Sequence, residues 1–244
     1  YYPSTQTLPL EKVRSLIDEG IELGLSSVAF GGGEPTIYPE IQSVISYVRR
    51  LGLYSAMTTN GLSELAGELP NRVSISFDSI HHGLSEEKLR DIIIYYKGRR
   101  SGVSINHIVT SLSELDRLIT LSNKLAVEGL HTYLLLEKPI PRFTEWGKLK
   151  ELINQGVTGD KIWLDPCLAL KLGYIRRCDQ GLHSLTVFPD GSISKCSNLP
   201  GTHYSSLKEA WLEARKDERC GSRDGFIGMK IHVITNYTLS EQWA

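Results

Sequence analysis

Two groups of residues have types and spacings that could do chemistry. The first is a set of four cysteines, Cys167, Cys178, Cys196 and Cys220, all in the last third of a 244-residue chain. A secreted disulfide protein is usually far shorter, so in a reducing compartment such a cluster reads as a metal or iron–sulfur ligand set. Four thiolates suit structural zinc as well, and four unrelated buried thiols are the plain alternative. The second group is the turn Gly31-Gly32-Gly33-Glu34-Pro35, directly after a short apolar segment at 27–30. Glycines after a strand let the backbone approach a ligand closely, because no Cβ intrudes, and their carbonyls can accept hydrogen bonds from an ammonium group. Glu34 adds a carboxylate beside them. Taken alone, the same turn is also an ordinary tight connection.

The elements that must position these residues follow from hydrophobic periodicity. Leu10, Val13, Leu16, Ile17, Ile21 and Leu23 fall mostly on one face of a helix over 8–25, with Gly24 at its end. Strands are expected at 27–30, 53–59, 73–77, 103–110, 131–136 and 161–164, and further helices at 41–51, 84–96, 112–127 and 143–155. Strands separated mostly by helices at this spacing mean repeated βα units on a parallel sheet, closed as a barrel or opened as a doubly wound sheet. After Pro166 the pattern changes. Short strands at 184–188 and 192–195 flank the turn Pro189-Asp190-Gly191, and an amphipathic helix covers 204–215. A strand near 231–234 follows, and no internal repeat is present. These patterns divide the chain into domains at 1–165 and 166–244, the second a small α+β appendix holding all four cysteines.

Composition narrows the function classes. With 27 basic and 28 acidic residues and a net charge of −1, the chain has no global field to attract nucleic acid or an acidic membrane. No apolar run reaches the length of a membrane span and nothing reads as a signal peptide, so the cytoplasm is the default location.

In parallel βα folds the ligand lies beyond the carboxyl ends of the strands. The polar residues expected there are Gly31, Gly32, Gly33 and Glu34; Thr58, Thr59 and Asn60; Ser76 and Asp78; Asn106 and His107; and Glu137 and Lys138. The turn at 31–35 resembles the glycine-glycine-glutamate-proline motif of the radical S-adenosylmethionine (SAM) family. There the motif ends the second barrel strand and binds the amino group of the SAM methionine; Gly32, Gly33, Glu34 and Pro35 take those positions here. Thr58-Thr59-Asn60-Gly61 resembles the family's third-strand end, and the run Ser-Ile-Ser-Phe-Asp-Ser at 74–79 its fourth. The resemblance, which covers roughly residues 1–165, therefore implies SAM contacts at Thr59, Asn60, Ser76, Asp78 and Asn106. Strand alternation would put Ser76 and Asp78 on one face and His107 opposite Asn106, where a histidine is usually a packed, hydrogen-bonded residue. The implied fold is α/β, a partial (β/α)6 TIM-like barrel with a small C-terminal auxiliary domain.

One departure matters. The family's three-cysteine motif, which binds the SAM-cleaving 4Fe-4S cluster, does not occur in this sequence. The chain also opens on a helix where a βα barrel begins with a strand. Both point to an expected strand and cluster loop before Tyr1, with Tyr1-Tyr2-Pro3 as the tail of that loop. The rival reading is a member that has lost its radical chemistry. Cys178, Gly191 and Cys196 resemble in order and spacing the signature of the auxiliary-cluster domains called SPASM and twitch, and the number of cysteines is closer to the shorter twitch form. Cys167 and Cys220 would complete the ligands of one auxiliary 4Fe-4S cluster, with a hydrogen-atom donor as the other role for Cys220.

The resemblance implies an oxidoreductase that reductively cleaves SAM to a 5′-deoxyadenosyl radical and abstracts hydrogen from a ribosomally made peptide or protein. A flavodoxin or ferredoxin would be the electron donor. Alternatives are a non-catalytic SAM-binding barrel with structural zinc, a radical dehydrogenase of a small molecule, and an ordinary barrel enzyme whose glycine turn binds phosphate. The last is disfavoured because no basic residue adjoins the glycines and Glu34 would repel an anion. Arg176, Arg177 and Lys138 could meet an acidic substrate group or be solvated surface charge. Metal analysis after anaerobic purification should find iron and sulfide; zinc without either would select the structural-zinc reading.

Overall fold

The computed structural model describes residues 7–80, 84–125, 130–137, 141–155, 162–176, 183–197, 199, 201–216 and 229–236. In chain order the elements are α1 (Leu10–Glu22), β1 (Leu25–Gly32), α2 (Ile41–Arg50), β2 (Tyr54–Thr59), β3 (Arg72–Ser76), α3 (Glu86–Gly98), β4 (Gly102–Ile108), α4 (Leu112–Leu125), β5 (His131–Leu135), α5 (Trp146–Asn154), β6 (Ile162–Leu164), α6 (Pro166–Lys171), β7 (Ser184–Val187), β8 (Ile193–Ser194), α7 (Leu207–Lys216) and β9 (Met229–Asn236). The mixed α/β class and the βα succession are as the sequence leads one to expect. Among the described residues no helix is long and apolar enough to cross a membrane.

Two compact units form, one from 1–59, 63–72 and 177–244, the other from 60–62 and 73–176. In the first, the strand order is β2-β1-β9-β7-β8. β1 runs parallel to β2 and to β9, β9 is parallel to β7, and β7 and β8 form an antiparallel hairpin. Helix α1 buries Val13, Leu16, Ile17 and Gly20, and α2 buries Ile41, Val44, Ile45 and Val48, each the i, i+3, i+4, i+7 stripe of an amphipathic helix. They cover Val28, Phe30 and Met57, all at most 1% exposed. Burying one such side chain contributes about 1.5–3 kcal/mol, so these stripes dominate the local energetics.

In the second unit the order is β3-β4-β5-β6, with β4, β5 and β6 parallel. The Ser74 and Ser104 hydroxyls lie 2.7 Å apart across β3 and β4. Helix α3 starts at Ser85, whose hydroxyl accepts from the Lys88 amide at 3.1 Å, and it buries Leu89, Ile92, Ile93 and Tyr96.

The structure departs from the periodicity reading in three places. β1 does not stop at Phe30 but continues through Gly31 and Gly32, because both glycines pair with β9. The expected strand near 231–234 runs from 229 to 236 and carries the β7–β8 hairpin at the side of β1. Helix α6 was not expected. Asp165 caps it by accepting from the Leu168 amide at 2.8 Å, and Pro166 occupies its first turn.

The hairpin turn is held by Asp190. Its Oδ1 accepts from the Ser192 amide at 2.9 Å and the Ser192 hydroxyl at 2.7 Å, while Gly191 adopts φ 82°, a left-handed conformation that suits glycine. Burial opposes ionisation of Asp190, but the Ser192 hydrogen bonds and His203 outweigh it and hold the carboxyl below its usual range. A depressed folded-state value means the contribution is present above the unfolded carboxylate range, about pH 4, and is lost as pH falls through the folded value. The Asp190→Ala protein should therefore be less stable than wild type by about 1 kcal/mol near neutrality. Thermal melts of both proteins from neutral pH downward should show that gap closing below about pH 4.

Candidate functional site

At the end of β1 the glycine turn and Glu34 form a defined arrangement. Gly32 adopts φ 105°, a region closed to side chains other than hydrogen, and it turns the chain toward Glu34. A Cβ placed on Gly31 would meet nothing within 4 Å, so the strand end is open to a close approach. Three donors converge on Glu34 Oε1: the Thr36 amide at 3.1 Å, the Thr36 hydroxyl at 2.7 Å and the Thr59 hydroxyl at 2.7 Å. The Glu34 carboxylate thus caps the short 3-10 turn Pro35–Ile37 and also ties the end of β1 to the end of β2, where Thr59 is 1% exposed. Beneath the turn, Tyr38 donates to the Leu8 carbonyl at 2.9 Å. Burial, then Glu40, raise its phenol above the usual range, so it remains a donor. A carboxylate fixed in this way beside an open glycine suits an ammonium-bearing ligand, and Gly32, Gly33, Glu34, Pro35 and Thr59 are the candidates that lie at these two strand ends. Thr36 had been missed; its signal is its place two residues after the glutamate, where an amide and a hydroxyl can both fold back.

The second unit gathers Ser76, Asp78, Asn106 and His107. β3 ends at Ser76, which is 7% exposed, so Asp78 lies in the turn beyond it and strand alternation does not govern its direction. Asp78 Oδ1 accepts from the Ile80 amide at 2.9 Å and Oδ2 from the Ile108 amide at 3.3 Å. The Phe77 amide donates to the Asn106 carbonyl at 2.9 Å. His107 is buried on the face opposite Asn106, as alternation requires, with Nδ1 2.6 Å from the Phe77 carbonyl. Asn60 accepts from the Leu62 amide at 2.9 Å, an Asx-type turn.

The remaining candidates separate. Cys178, Cys220, Lys138 and Arg177 lie outside the described residues. Cys167 and Cys196 are both half-buried. Cys167 sits in the first turn of α6, and the Cys196 amide donates to the Ser194 hydroxyl at 3.3 Å. Glu137 is engaged by Arg142, whose amide and Nε donate to its two carboxylate oxygens at 2.7 and 2.5 Å. Asp165 is a further strand-end carboxylate that sequence reading missed. Its Oδ1 accepts from the Leu136 amide at 3.2 Å as well as capping α6, and the signal for it is Asp followed directly by Pro.

Comparison with known proteins adds to this geometry. Residues 1–99 match the profile of the Radical SAM superfamily. The chain is 30% identical over 146 residues to a probable GTP 3',8-cyclase of Sulfurisphaera tokodaii, a match covering 52% of this chain and 47% of the relative. It is 26% identical over 135 residues to the PqqA peptide cyclase of Bradyrhizobium diazoefficiens, covering 52% of this chain and 34% of that protein. The matches thus span less than half the length of these curated relatives. Among solved structures, Streptococcus suis SuiB bound to S-adenosylmethionine matches with a TM-score of 0.65 at 16% identity, over 84% of this chain and 58% of SuiB. At that identity the likeness is one of fold.

The bond between Glu34 and Thr59 yields a direct check. Thr59→Val keeps the side-chain shape and removes the buried donor, and should cost about 1 kcal/mol in a urea unfolding curve. Thr59→Ser, which keeps the hydroxyl, should lose distinctly less.

Proposed function

We propose that this chain, whose first 99 residues match the Radical SAM superfamily, is the SAM-binding part of a radical SAM enzyme that modifies a peptide. The observation that carries this reading is Glu34, held by Thr36 and Thr59 at the open glycine end of β1. In this reading Glu34 and the backbone of Gly32 and Gly33 receive the ammonium of the SAM methionine. Ser76, Asp78 and Asn106 shape the side that meets the ribose and carboxylate. When bound, the 4Fe-4S cluster supplies an electron and SAM the 5′-deoxyadenosyl group that removes hydrogen from the substrate.

In this reading 1–165 acts as the SAM domain. Region 166–244 acts as the auxiliary domain, with Cys167, Cys178, Cys196 and Cys220 as the ligand set of a second 4Fe-4S cluster. Half-buried thiols at Cys167 and Cys196 are compatible with ligation, since thiolate sites need partial shielding from water. A reduced flavodoxin or ferredoxin of the cytoplasm supplies the electron, which makes the overall reaction that of an oxidoreductase.

A peptide substrate is favoured by two of the similar proteins, the PqqA peptide cyclase and SuiB, which has been solved with its precursor peptide SuiA. A small-molecule substrate is the second reading, favoured by the 30% identity to the probable GTP 3',8-cyclase. The full-length protein, reconstituted anaerobically and given a reductant and SAM, should release 5′-deoxyadenosine. Absence of release with the clusters present would defeat the radical reading. Product analysis with a precursor peptide and with GTP would separate the two substrate classes.

A further inference from the structure

The buried imidazole of His107 plays no part in the site as described so far, yet its bonding is specific. Its Nδ1 lies 2.6 Å from the Phe77 carbonyl. A carbonyl only accepts, so Nδ1 carries the hydrogen and donates. The other ring nitrogen, Nε2, is buried with no hydrogen-bond partner among the described residues, and the residue as a whole is 3% exposed. His107 lines a cavity of about 150 Å³ with Phe77, Asp78, Ser79, Leu84, Glu114, Arg117 and Leu118. A buried nitrogen left unpaired is costly, on the order of 1–3 kcal/mol, and a phenylalanine ring would fill nearly the same volume without that cost. Packing alone therefore does not account for an imidazole here; the bond to Phe77 does.

That bond belongs to a closed set. The Phe77 amide donates to the Asn106 carbonyl, the Phe77 carbonyl accepts from His107, and Asp78 accepts from the Ile80 and Ile108 amides. The Phe77 peptide groups, the Asp78 carboxylate and the Asn106 carbonyl are thus held in one clip between the ends of β3 and β4, directly after Ser76. Removing the His107 donor leaves the Phe77 carbonyl without its side-chain bond and frees the peptide that joins Phe77 to Asp78.

We propose that His107 is a positioning residue for SAM, acting from the buried face of β4 through the Phe77 carbonyl to set the strand end that carries Ser76 and Asp78. The inference rests on the proposed SAM reading of those residues. It predicts an order among three variants that packing would not produce. Asn can place a donor near the position of Nδ1, whereas Gln reaches toward the position of Nε2 and Phe has no donor.

The test uses the full-length, anaerobically reconstituted protein, with the SAM dissociation constant and backbone amide exchange at Phe77, Ile80 and Ile108 measured together. His107→Phe and His107→Gln should weaken SAM binding by about three- to tenfold, the equivalent of one lost hydrogen bond, and should speed exchange at the clip. His107→Asn should stay close to wild type in both, even where its smaller side chain lowers the melting temperature. The reverse order, with Phe intact and Asn impaired, would mean that His107 serves packing alone and would overturn the proposal, as would wild-type affinity in all three variants. Failure of the wild type itself to bind SAM would defeat the SAM reading and with it the positioning role. The exchange data would then show separately whether the clip depends on the donor.

Discussion

A parallel strand that stops leaves its last backbone groups to be satisfied by something other than the next residue of the ladder. In this chain side-chain carboxylates meet that constraint. Glu34 closes β1 by accepting from the Thr36 amide, and the same oxygen takes the Thr59 hydroxyl at the end of β2. Asp78 accepts from Ile80 in its own turn and from Ile108 at the end of β4. Asp165, after β6, accepts from Leu136 beyond β5 and from Leu168 in the helix that follows. Each carboxylate serves its own turn and the neighbouring strand end together. Buried backbone groups must be paired somewhere, and here the pairing also fixes how adjacent strand ends stand against each other.

This device gives the candidate site its order before any ligand is considered. A carboxylate with several donors on one oxygen is restrained in both position and rotamer, so a ligand that meets it need not pay for ordering it. The glycine turn contributes the complementary property. Gly31 has open space where a side chain would sit, and Gly32 adopts a backbone conformation that other residues avoid. Rigid acceptors beside accessible backbone are what recognition of an amino-acid-like ligand calls for. The helix-side layer has a matching part in His107, where burial on one face of β4 is linked to the polar turn on the other.

Much of this was legible in the residues. The apolar stripes of α1 and α2 and the βα succession are periodic signals that tertiary packing did not overturn. The opposition of Asn106 and His107 followed from the alternation of β4. Gly32, Glu34 and Thr59 were recognisable as strand-end residues. Legibility fell off where the partner is distant in sequence. The extension of β1 through its glycines depends on β9, about two hundred residues away, and no local pattern announces it. The doubled roles of Asp78 and Asp165 were hidden for the same reason, since each local turn bond is predictable and each bond to a neighbouring strand is not.

The sequence by itself determined the α/β class, the order of the strands and helices and the residue types near the strand ends, because periodicity and turn chemistry are local properties of the chain. Only the tertiary structure decided that Glu34 is tied to Thr59, that Asp78 is spent on two backbone amides, and that His107 reaches the Phe77 carbonyl from the buried side. The contacts of Glu34 with Thr59, of Asp78 with Ile108 and of His107 with Phe77 join residues separated by 25 to 30 positions. They exist only once hydrophobic burial has brought the strands side by side and left their terminal polar groups in need of partners.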